Sequence, residues 1–119
     1  MSCVLRAGGA DFDSAAFLAD SPLKADGDAK PGSLSITLDS GSEGLHEQLR
    51  LAVGFLDVYE DELRRLGRFP GVEQVGIEFG IDWDGQAART TSFPPELLWR
   101  AGALDIGLDV THRFASPPA

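Results

Sequence analysis

Between Leu45 and Leu66 apolar residues return every three or four positions: Leu45, Leu49, Ala52, Val53, Leu56, Tyr59, Leu63 and Leu66. That spacing gathers them into one stripe along a single long helix, and such a stripe must be buried against a partner layer. Leu51, Phe55 and Val58 add a second row that makes the apolar face wider than one sheet surface requires. Ser40 with Glu43, or Ser42 alone, is positioned to cap the start. Glu60 and Arg64, like Asp61 and Arg65, lie one turn apart, and Gly67 and Pro70 close the segment.

The partner layer is written in period two. Leu34, Ile36 and Leu38 alternate with Ser35, Thr37 and Asp39. Val75, Ile77, Phe79, Ile81 and Trp83 alternate with Gly76, Glu78, Gly80 and Asp82, and Ile106, Leu108 and Val110 with Gly107, Asp109 and Thr111. Each run predicts a strand with one buried and one wet face. A further strand is expected from Cys3 to Ala7, ended by Gly8-Gly9. Asp84-Gly85 reads as a hairpin turn, from which Gln86 to Thr91 returns as a more polar strand. Asp11 or Asp13 caps a short helix around Ala15 to Leu18, and Phe93-Pro94-Pro95-Glu96 opens another, carrying Leu97, Leu98, Ala101 and Leu104. Residues 23–32 are poor in apolar side chains and read as a solvated loop.

The expected element order is therefore β-α-β-α-β-β-α-β. Strands apolar on one side only predict an α+β two-layer sandwich, a mostly antiparallel sheet with its helices on one face. At 119 residues there is room for one domain. It is expected over residues 1–114, with a disordered Pro-rich tail at 115–119.

Composition bears on function mainly by exclusion. Nineteen acidic residues against 10 basic ones give a formal charge of −9, which argues against nucleic acid and anionic membrane surfaces as partners. Cys3 is the single cysteine, so no internal disulfide and no multi-cysteine zinc site is expected. Neither a secretory leader nor a membrane span is legible, and a cytoplasmic location is the expectation.

Glu78 and Asp82 share the outward face of their strand, Asp84 follows at the turn, and Asp105 and Asp109 take outward positions on the last strand. Gly76, Gly80 and Gly107 lie between them, leaving that sheet face thinly covered. A flat acidic face suits a basic protein partner, while a solvated face carrying charge for solubility is the plainer reading. Asp82-Trp83-Asp84-Gly85 lacks the other ligand positions of a calcium loop, so no metal and no cofactor is expected. Trp99 and Phe55 are candidates for an aromatic interface on the helical layer, with packing between helices as the alternative. His46 is placed at the solvent side of the long helix, whereas His112 has inward parity near the end of the last strand.

The opening Cys3-Val4-Leu5-Arg6 with Asp11-Phe12-Asp13 resembles one group of small bacterial proteins of unknown function. So do the Phe69-Pro70-Gly71-Val72 junction and the helix start Phe93-Pro94-Pro95-Glu96-Leu97-Leu98. The resemblance spans most of the chain apart from residues 23–32, which lack the aromatic, basic segment of that group. Its motifs are helix starts and strand junctions, and it supplies no catalytic residue. It implies a bacterial origin and, through the likeness of small acidic proteins to immunity proteins of toxin systems, a binding role.

The leading expectation is a non-catalytic protein-binding module of inhibitor or immunity type, using Glu78, Asp82, Asp84 and Asp109. A small enzyme or ligand-binding domain is the alternative, with a pocket between sheet and helices tested first at His112, Asp109 and Arg113. Self-association through an open strand edge or the second row of the long helix is the third.

Overall fold

The computed structural model describes residues 2–27, 30–40, 44–83 and 90–114, without the side chains at 82, 83, 113 and 114. Its elements are β1 (Cys3–Gly8), α1 (Ser14–Ala19), β2 (Ser33–Thr37), α2 (Leu45–Val58), α3 (Glu60–Arg68), β3 (Gln74–Trp83), α4 (Pro95–Ala103) and β4 (Gly107–Phe114). The fold is α+β. One mixed sheet runs in the order β2-β1-β3-β4. β1 is antiparallel to both of its neighbours, and β3 and β4 are parallel. Parallel neighbours need a long crossover, and α4 supplies it.

Cys3, Leu5, Ala7, Leu34, Ile36, Ile77, Phe79 and Ile81 point inward and are buried. All of these except Ile81 meet Leu49, Ala52 and Leu56 of α2, Leu63 and Leu66 of α3, and Leu97 and Ala101 of α4 in one core. Phe69 ties the far end together, its ring standing edge-on to Phe12 and Phe17 at centroid distances of 5.9 and 5.4 Å. Gly71 makes this junction possible. It has φ +87°, and a Cβ there would run into the carbonyl of Asp11, so only glycine fits both the conformation and the space.

Several details differ from the sequence expectation. The long helix is two, parted at Tyr59 (φ −108°, ψ 25°). Glu60, Asp61 and Glu62 form the first turn of α3 and Arg65 and Arg68 lie in its last, an arrangement that matches the helix dipole. Arg64 takes both Glu60 and Asp61, whereas Arg65 pairs with Glu62 and donates to the Phe17 carbonyl at 2.9 Å. α2 starts after Gly44 with no side-chain cap, and Ser42 and Glu43 lie outside the described residues.

Most of the expected return strand lies outside the described residues. Gln86 to Arg89 lie outside the described residues, and Thr90 and Thr91 are not in a strand. Finally, the segment after Pro22 is strapped to the sheet. Leu23 is in the core, and the Asp26 amide donates to the Ser35 carbonyl at 2.8 Å. The Asp26 carboxylate accepts from the Thr37 amide and hydroxyl at 3.2 and 2.6 Å, and Lys30 bridges to Ser33. Asp13 caps α1 as expected, accepting from the Ala16 amide at 3.1 Å.

Candidate functional site

Among the described residues the helices lie on one side of the sheet, and its other face is open. It forms a broad trough of about 1030 Å³ floored by β1, β3 and β4 and walled by the segment around Asp26 and Lys30. Register builds its floor row by row. Arg6 of β1 stands beside Gly76 of β3, and Gly76 beside Gly107 of β4. In the next row Val4 stands beside Glu78, and Glu78 beside Asp109. Two glycines thus leave a bare strip of backbone next to two facing carboxylates. A Cβ on Gly76 would lie 3.7 Å from an Asp109 carboxylate oxygen, so the carboxylate leans over that strip.

The two carboxylates are held differently. Glu78 accepts from the Thr111 hydroxyl at 2.8 Å and pairs with the Arg6 guanidinium at 3.4 Å. With 58% of the Arg6 side chain and 31% of Glu78 exposed, that pair adds little stability, but it orients Glu78 across the face. Asp109 is exposed and has no hydrogen bond or ion pair among the described residues. Asp26, Glu73, Glu78 and Asp109 line the trough together with Arg6 and Lys30, so carboxylates outnumber cations there.

Of the acidic residues singled out in the sequence, Glu78 and Asp109 are brought together. Asp82 follows on the same strand, without a described side chain, and Asp84 lies outside the described residues. Asp105 falls short of β4, in the turn after α4 with φ 58°. Arg6 and Thr111, which shape the face, were not singled out, because outward parity alone does not say which strand lies beside which.

No family model, curated protein or solved structure matches this chain.

On the helical side Trp99 is 70% exposed and Leu98 52%, with Val58 72% exposed on α2. Phe55 is half-buried, packed on the core and set against Tyr59 at 5.0 Å between ring centroids, so it is not the exposed partner for Trp99 that the sequence suggested. His46 is exposed, and so is His112, although its parity is inward. Cys3 is fully buried, and burial, with the Asp39 charge adding, pushes its thiol up to about 12. A thiol so protonated is not a nucleophile. Among the described residues no three metal-ligating side chains come together, and no helix of the described residues is long and apolar enough to cross a membrane.

Proposed function

We propose that the chain is a non-catalytic protein-binding module of inhibitor or immunity type, cytoplasmic in location, which offers the open face of its sheet to a basic partner. The supporting observation is the exposed, unengaged Asp109 carboxylate beside an oriented Glu78, over the bare Gly76–Gly107 strip. A guanidinium or ammonium entering there meets charge without first displacing a side chain. The overall charge of −9 favours rapid encounter with a cationic surface.

The enzyme alternative is less well supported. It needed a recessed His112 next to Asp109, and the two lie on opposite faces by parity, with His112 exposed. The test is affinity capture from the source organism's lysate at low and high salt, using the wild-type protein and a Glu78→Gln/Asp109→Asn variant. A stoichiometric basic protein held by the wild type at low salt, released at high salt and not held by the variant supports the reading. Equal retention by the variant overturns it.

A further inference from the structure

The two edges of the sheet are treated in opposite ways. At the β2 edge the Asp26 amide and carboxylate occupy Ser35 and Thr37, and Lys30 bridges to Ser33. A further strand finds those groups taken. At the other edge β4 runs for eight residues, Gly107–Phe114, paired to β3 on one side and to no described strand on the other. It contains no proline, and its inward residues Leu108 and Val110 are only half-buried. Proteins ordinarily blunt such an edge, so a long regular one left open marks a place where another strand adds.

We infer that the occupant is the β4 strand of a second copy, paired antiparallel across a two-fold axis at Thr111. Residue types decide the register. Only registers that keep parity hold inward residues on the inward face. With Thr111 opposite Thr111, Asp109 falls opposite Arg113, Val110 opposite His112 and Leu108 opposite Phe114. Opposite charges, Thr with Thr and apolar with aromatic are all favourable cross-strand combinations, and the two-fold supplies each unlike pair twice. The strand is self-complementary.

The helical layer extends the seam. Arg100 of α4 reaches Asp57 of α2 at 3.1 Å. Leu98, two residues earlier and so about 160° round the helix, lies on the flank turned away from α2. Leu98 is 52% exposed and Leu108 and Val110 are half-exposed, apolar surface that a second copy covers with its own. The like charge of the two copies does not forbid this. At physiological salt charges interact over about 8 Å, so the opposed pairs at the seam outweigh the distant remainder.

Sedimentation equilibrium on the full chain over a wide concentration range tests the proposal. The wild type should show a mass rising to twice that of one chain. Asp109→Lys, at an exposed position, sets like charges opposite each other twice and should weaken association roughly ten-fold or more. Asp109→Lys with Arg113→Asp restores the opposite pairing and should recover it. A wild type that stays monomeric up to about millimolar overturns the proposal and leaves the edge to a strand of some other protein. Undiminished association of Asp109→Lys, with circular dichroism confirming that it is folded, also overturns it.

Discussion

Glu78 and Asp109 are register partners on neighbouring parallel strands, two carboxylates side by side on an exposed sheet face. Like charges set directly opposite one another destabilise a sheet. Arg6 and Thr111 relieve Glu78 alone. Asp109→Asn should therefore raise the stability of the domain by about 0.5 kcal/mol, read as a higher urea midpoint at unchanged slope at chain concentrations too low for self-association. Stability gained by removing a surface group is the pattern expected where that group serves binding. A lower midpoint would mean that Asp109 has a structural partner and would remove it from the proposed site.

The carboxylate of Asp26 holds the β2 edge through Thr37. Asp26→Ala removes two hydrogen bonds at an exposed position and should cost about 1 kcal/mol. It should also unmask the edge. Light scattering at matched concentrations is expected to show faster aggregation for Asp26→Ala than for Thr37→Val, which loses the hydroxyl contact but keeps the carboxylate on the Thr37 amide. Equal behaviour of the two variants would mean that the carboxylate does not guard the edge.

The contrast between these residues shows what was legible beforehand. Period-two alternation put Glu78, Asp109, Gly76 and Gly107 on one face, and period 3.6 marked the helical core, because both depend only on neighbours in sequence. Strand order depends on contacts far apart in the chain, so the placing of Arg6 beside Glu78 was not available. The break at Tyr59 was hidden because tyrosine continues the apolar stripe. Its one sign was the acidic run Glu60-Asp61-Glu62, which suits the start of a helix better than its middle. The strap around Asp26 has no signature in the sequence, since a polar, glycine-containing segment looks the same whether solvated or hydrogen-bonded to an edge.

Cys3 makes the core sensitive to alkali. Its thiol is lifted from about 9 to about 12 by burial and by Asp39, so the folded state holds a proton that the unfolded state releases above about pH 9. The resulting contribution is intact below that pH and is lost as pH climbs towards 12. Stability measured from pH 8 to 11 should fall less steeply in Cys3→Ala than in the wild type, although the alanine variant starts from a lower value. At pH 8 a thiol reagent should label the native protein at the rate of unfolding. Prompt labelling of the folded protein would contradict the burial.

Arg65 is the surface charge whose loss should be felt most. Its guanidinium carbon sits 4.0 Å from the centre of the Phe17 ring, its Nη2 donates to the Phe17 carbonyl, and its Nε pairs with Glu62 at 2.5 Å. The Glu62 side chain is only 15% exposed, so removing the arginine leaves a largely buried carboxylate without its cation. Arg65→Ala should cost about 2 kcal/mol. Arg65→Lys should restore less than half of that, because an ammonium cannot stack on the ring and bond the carbonyl and carboxylate together. Arg64→Ala, which breaks only exposed pairs to Glu60 and Asp61, should change stability by less than about 0.5 kcal/mol. Denaturant melts of the three variants side by side check the order. An Arg65→Lys protein as stable as the wild type would reduce the role of Arg65 to simple charge and remove the stacked geometry as the tie between α1 and α3.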